Sequence, residues 1–151
     1  MTGRVVVLGV GNVILGDDGL GVRCVERLAA DGALPPGVVA IDGGTSSHEL
    51  LGEIEGAALL VIVDAIAGAG APGEIVRIDG DRIAAAFSQR LSPHQHGIRD
   101  LIATLQLLGR APARLVVLGM NPARIDLGLA LSPEIEAALP ALAARVVAEV
   151  R

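Results

Sequence analysis

The stretch from Val5 to Gly21, VVVLGVGNVILGDDGLG, constrains the fold more than any other part of the chain. It opens as a run of β-branched and leucine residues with no polar alternation. That pattern suits a strand buried on both faces, the habit of parallel sheets in α/β proteins. The run breaks at Gly9-Val10-Gly11-Asn12 and delivers two adjacent carboxylates, Asp17 and Asp18, just before a helical pattern begins. In an open α/β sheet this position lies beyond the carboxyl end of a strand, where ligands usually bind.

The remaining segments repeat the alternation of strand and helix. Leu20, Cys24 and Leu28, joined by Val25 and Ala29, form one helical face that ends near Asp31-Gly32. Val38 to Ile41 predicts a short strand ending at Asp42-Gly43-Gly44. Ser46 and Glu49 then have the spacing of a capping box before Leu50, Leu51 and Ile54. Ala58 to Val63 is a third, uniformly apolar strand, closed by Asp64. Glu74 to Ile78 predicts a fourth strand, too close to the third for a crossover helix and therefore antiparallel. Arg82 to Phe87 reads as a short helix, and Ile98, Leu101, Ile102, Leu105 and Leu108 as the stripe of a longer one closed by Gly109. Arg114 to Leu118 is the fifth strand. Ser132-Pro133 supplies an N-cap and N1 proline for a final helix, kinked at Pro140 and running to Val150. The expectation is one domain over residues 1–151, a three-layer α/β/α arrangement around a five-stranded, mostly parallel sheet with one antiparallel strand.

Composition removes several classes of function. With 12 basic and 17 acidic residues and a net charge of -5, no basic stripe tracks a phosphate backbone, so no nucleic acid partner is expected. Phe87 is the one aromatic residue, which leaves no stacking platform for bases. A single cysteine, Cys24, excludes an intramolecular disulfide and a multi-cysteine zinc site. Its place on the apolar stripe makes it a buried structural residue. No apolar run reaches the roughly eighteen residues of a membrane span, and the chain enters its first strand almost at once. A soluble cytoplasmic protein with no membrane partner is expected.

Three polar side chains fall at strand ends or at the start of a helix: Asp18, Asp64 and His94. Two carboxylates and an imidazole suit a divalent metal such as zinc, nickel or manganese and leave positions for substrate or water. Each also has a plainer role. Asp17 or Asp18 can cap a helix, Asp64 can cap a turn, and His94 can hydrogen-bond within a loop that Pro93 stiffens. His96 is an alternative ligand or a neighbour of the site, and His48 reads as exposed. Gly9-x-Gly11 after a strand resembles the start of a dinucleotide fingerprint, but the third glycine is replaced by Ile14. Asp42 also lies farther along than the roughly twenty residues usual for a ribose contact. No Gly-Lys-Ser or Gly-Lys-Thr forms a P-loop, and no G-x-S-x-G presents a serine nucleophile.

Taken together, LGVGNVILGDDGLGVR, DGGTSSHELL, VIVDAI, SPHQHGI and LSPEIEAAL, in this order, resemble the nickel-iron hydrogenase maturation endopeptidases over nearly the full chain. The resemblance implies a five-stranded twisted mixed sheet with helices on both sides. It also implies removal of the C-terminal extension of a hydrogenase large-subunit precursor once nickel has been installed. The family's metal-binding acidic residue, strand-three Asp and SPH histidine fall on Asp18, Asp64 and His94. Nickel is then the implied metal, carried by the substrate, and another divalent ion could substitute. Gly43, Gly44 and Thr45 would bind the extended peptide through backbone groups. The chain departs from the commoner pattern at Ser47 and His48, which bears on the hydrogenase class served. The precursor is the expected partner, the chain acting as a monomer. The rival expectations are a noncatalytic nickel-handling or docking protein for the immature large subunit and a small nucleotide-binding module.

Overall fold

The computed structural model describes residues 3–44, 51–68, 70–82 and 102–151. Strand β1 (Val5–Val10) leads through a 3-10 turn (Gly16–Gly19) into helix α1 (Leu20–Asp31), then β2 (Val38–Gly44), α2 (Leu51–Ile54), β3 (Leu59–Ala65) and β4 (Ile75–Asp79). A helical segment α3 at 102–107, strand β5 (Arg114–Met120) and helix α4 (Pro133–Val150) complete the described chain. The sheet order is β2-β1-β3-β5-β4; β2, β1, β3 and β5 pair in parallel and β4 pairs antiparallel with β5. The short connection after β3 thus produces the reversal its length demands.

The two uniformly apolar runs, β1 and β3, are buried along their whole length and sit side by side near the centre. Alternation along them separates two cores. Val5, Val7, Val61 and Val63 face Leu20, Cys24 and Leu28 of α1 and Ile135, Leu142 and Val146 of α4. Val6, Leu8, Leu60 and Ile62 face Ile54 of α2 and Leu105 of α3. Helices therefore cover both faces, giving the three layers. No described helix is long and apolar enough to cross a membrane.

Helix α1 packs close to the sheet because Gly21 lacks a side chain. A Cβ there would collide with the carbonyl oxygens of Val63 and Val10. Gly21 thus seats the first turn of α1 between the carboxyl ends of β1 and β3. Gly32 ends the helix in the left-handed conformation at φ 60°, donating its N–H to the last-turn carbonyls, as the Asp31-Gly32 pair predicts.

Several local expectations shift. Glu74 precedes β4, and β5 runs on to Met120. Asp64 lies inside β3 instead of after it. Ala29 is exposed, and so is Leu108, which lies just beyond the end of α3. Helix α4 runs from Pro133 to Val150 as expected, with Pro140 in its interior. Ser132 occupies the N-cap position before Pro133, but its hydroxyl makes no capping bond. The capping box at Ser46 and most of the helices predicted at Arg82–Phe87 and from Ile98 lie outside the described residues.

Candidate functional site

The chain leaves β1 toward β2 on one side of the sheet, and β3 is followed by strands on the other. Such a divergence between adjacent parallel strands opens a crevice at their carboxyl ends, the place where open α/β sheets bind ligands. Asp18 and Asp64 both belong to that rim. Gly9 pairs with Val63, so Asp64 stands one residue beyond the register where β1 ends its pairing. The 3-10 turn bearing Asp18 packs against β3.

Both carboxylates are buried, Asp64 completely and Asp18 to 4% exposure. Asp64 Oδ1 accepts the N–H of Ala65 at 2.8 Å, and by alternation its side chain shares a sheet face with Leu60 and Ile62. Asp18 Oδ2 accepts the backbone N–H of Asn12 at 3.0 Å. Gly11 makes this return possible. It adopts φ +130°, and any side chain on it would collide with the Asp18 carbonyl oxygen.

Neither Asp17 nor Asp18 caps a helix, which corrects that plainer expectation. The N-cap positions are Leu15 for the 3-10 turn and Gly19 for α1. Asp17 has a different task. Its Oδ2 accepts the N–H groups of Ala123 and Arg124, each at 2.9 Å, and the Ser132 hydroxyl at 2.8 Å; its Oδ1 accepts the Ser132 N–H at 2.7 Å. Burial alone would raise its pKa. The donors from Ser132, Arg124 and Ala123 outweigh that penalty and hold the carboxyl below the usual carboxylate range. The donors lie 106 to 115 residues away, so no local pattern announces them.

On the other side of β1, strand β2 carries Gly43 and Gly44. Gly9 pairs with Asp42 and Val10 with Gly44, which makes Gly43 the extra residue of a β-bulge at the same rim. Gly44 donates its N–H to Asp42 Oδ1 at 3.0 Å, and its carbonyl accepts from the Gly11 N–H at 2.9 Å. Both of its backbone groups are therefore already engaged within the protein. Thr45, His48, His94 and His96 lie outside the described residues. Among the described residues no group of three or more histidine, cysteine, aspartate or glutamate side chains is arranged to hold a metal ion. Of the expected trio, Asp18 and Asp64 both stand at this carboxyl-end rim, Asp18 on the turn after β1 and Asp64 near the end of β3.

Cys24 lies deep in the α1 core. Burial pushes its thiol up to about 12, with the Arg27 charge opposing the shift only in part, so it offers no thiolate at neutral pH.

Comparison with known proteins agrees with this architecture. Residues 22–149 match the family model HycI, hydrogenase maturation protease. The chain is 37% identical over 149 residues to the Hydrogenase 2 maturation protease of Escherichia coli (strain K12), covering 98% of this chain and 91% of that protein. It is 41% identical over 150 residues to the hydrogenase expression/formation protein HupD of Rhodobacter capsulatus, covering 98% and 71% respectively. Among solved structures, the hydrogenase maturating endopeptidase HybD from E. coli superposes with a TM-score of 0.90 at 36% identity, covering 98% of this chain and 92% of that one.

Proposed function

This chain belongs to the hydrogenase maturation proteases, and from that premise we propose that it removes the C-terminal extension of a nickel-iron hydrogenase large-subunit precursor after nickel insertion. In this reading the nickel arrives with the substrate and is gripped by Asp18, Asp64 and His94. What supports the reading is that two buried carboxylates, Asp18 on the turn after β1 and Asp64 on the adjacent strand β3, stand at the same carboxyl-end rim of the sheet. Carboxylate oxygens are hard donors and an imidazole nitrogen is a borderline one, a set that suits nickel or another divalent ion. Bound there, such an ion supplies an anchor for the precursor and a Lewis acid for its scissile carbonyl.

The protein's own residues do the positioning. The Asn12 N–H fixes one oxygen of Asp18, and the Ala65 N–H fixes one of Asp64, so both carboxylates are oriented before substrate arrives. Their burial keeps competing water away. His94 must be neutral to ligate, so processing should decline in acid. Gly43, Gly44 and Thr45 would border the path of the extended peptide. At Gly44 a contact would use the second lone pair of a carbonyl that Gly11 already engages. The enzyme would work as a single-domain monomer in the cytoplasm.

The test is to incubate the purified protein with large-subunit precursor, with and without nickel, and to weigh the products. Loss of the C-terminal peptide from the nickel-loaded precursor alone is the expected result. An unchanged mass under conditions where the two proteins form a complex would replace the protease by a noncatalytic docking protein.

A further inference from the structure

The 3-10 turn beside the site is fastened from one side by a segment far away in sequence. Residues 123–130 are exposed, yet this segment closes over the turn through paired backbone bonds. Gly16 donates to the Gly128 carbonyl at 2.9 Å, Gly128 donates to the Ile14 carbonyl at 2.8 Å, and Asp17 donates to the Arg124 carbonyl at 3.3 Å. Leu15 and Gly128 form a parallel bridge. At the centre sits the Asp17 carboxylate with its four donors. The Asn12 N–H holds the neighbouring Asp18 carboxylate.

A neutral side chain would suffice to tether an exposed loop. A carboxylate buried directly before Asp18 carries a desolvation cost that a simple tether would avoid. What the carboxylate adds is stiffness, because charge-assisted hydrogen bonds are shorter and roughly twice as strong as neutral ones. Four of them converge one peptide unit from the Asp18 Cα, so their rigidity is delivered to the backbone from which Asp18 projects.

We propose that Asp17 is a positioning residue of the site: by clasping residues 123, 124 and 132 it fixes the 3-10 turn, and through that turn the aim of the Asp18 carboxylate. Ser132 is the other half of the clasp. Its hydroxyl, placed to cap α4, points instead to Asp17 and joins the start of that helix to the site. The proposal rests on the reading of Asp18 as a ligand of the substrate's nickel.

The test compares Asp17→Asn and Ser132→Ala with Val146→Ala, a cavity variant in the α1–α4 core remote from the rim. Three quantities are measured: melting temperature, affinity for nickel(II) alone by calorimetric titration, and kcat and KM on nickel-loaded precursor. Groups that orient a ligating residue typically change affinity or activity about 10- to 100-fold. Asp17→Asn should therefore weaken nickel(II) binding and lower kcat/KM by about tenfold or more, with Ser132→Ala shifted in the same direction by less. Val146→Ala should lose melting temperature and keep both. In an Asp18→Ala background, Asp17→Asn should cause no further loss of nickel(II) affinity.

Equal functional loss in Asp17→Asn and Val146→Ala at matched melting temperature would overturn the proposal, as would wild-type nickel(II) affinity and turnover in Asp17→Asn. Should Asp17→Asn fail to fold, Ser132→Ala decides: a functional loss at near-native melting temperature supports the clasp, and unchanged function overturns it. Processing at the wild-type rate by Asp18→Ala and Asp64→Ala would sink the ligand reading and the clasp together. Dead Asp18→Ala and Asp64→Ala beside a fully active Asp17→Asn would sink the clasp alone.

Discussion

Asp17, at the carboxyl end of the sheet, and Glu149, in the last turn of α4, are both held below the usual carboxylate range, by different means. Asp17 is fully buried and held by neutral donors, three backbone N–H groups and one hydroxyl. Glu149 is gripped by the Arg77 guanidinium of β4, Nε to Oε2 at 3.1 Å and an Nη to Oε1 at 2.7 Å, with Arg114 3.9 Å away. A guanidinium cancels the charge it holds, whereas peptide dipoles fix a carboxylate in place and leave its formal charge standing. The first device suits fastening an edge strand to a helix. The second suits the neighbourhood of the nickel site proposed for Asp18.

The contrast is sharpest in activity. Asp18→Ala and Asp64→Ala should each reduce processing of the precursor by about a hundredfold or more, since misplacing a reacting group by even an ångström can cost that much. Glu149→Gln should leave it unchanged. Comparable rates for all three in the mass assay would erase the distinction between the two ends of the molecule. His94→Ala should behave like the two aspartate variants.

Stability should rank next. Asp17→Ala leaves four donors without their acceptor, and at about 1 kcal/mol for each bond the loss is about 4 kcal/mol, read from urea unfolding. Gly21→Ala tests the same end of the molecule through packing alone. Its methyl group meets the carbonyls of Val63 and Val10, backbone that cannot swing aside, and overpacking of this kind costs about 2 kcal/mol. If Gly21→Ala proved the more damaging of the two, close backbone approach, and not the clasp, would dominate the rigidity of this rim.

How much of this could be read from the chain depends on the range of the interactions involved. Strands β1 and β3 are legible because burial on both faces leaves long apolar runs, Val5–Leu8 and Leu59–Val63, and β4 because the nine residues from 66 to 74 cannot make a crossover. The start of α4 is legible as Ser132-Pro133, since helix entry is local chemistry; the partner of the Ser132 hydroxyl is not, lying 115 residues away. Asp18 and Asp64 are legible as residues at strand ends, and the fold brings them to one rim. Asp17 and Asp18 are chemically identical neighbours, and only tertiary structure separates the one that clasps a distant segment from the one that accepts the Asn12 N–H. The bulge at Gly43 escapes sequence for the same reason: register is a property of two strands together.

The smallest effect belongs to the ion pair. Glu149→Gln should cost about 1 kcal/mol at neutral pH, the upper part of the range for a partly exposed pair, here favoured by its two-pronged geometry. Its pH dependence follows from the direction of the shift. The Arg77 hydrogen bonds come first among the causes and lower the carboxyl from its ordinary value of 4.5, against a smaller desolvation penalty. A carboxylate with a depressed folded-state pKa contributes stability that is fully present above the ordinary value and is lost as pH falls through the folded one. The stability difference between wild type and Glu149→Gln should therefore be flat from neutral pH down to about 5 and shrink below the ordinary carboxylate value of 4.5. Salt should shrink it as well, because Arg77 is about a third exposed at 32% and open to screening. Asp17, buried among neutral donors, should show the same sign of pH dependence but little response to salt. A strong salt dependence in Asp17→Ala relative to wild type would mean that the carboxylate at the rim is held by charge after all.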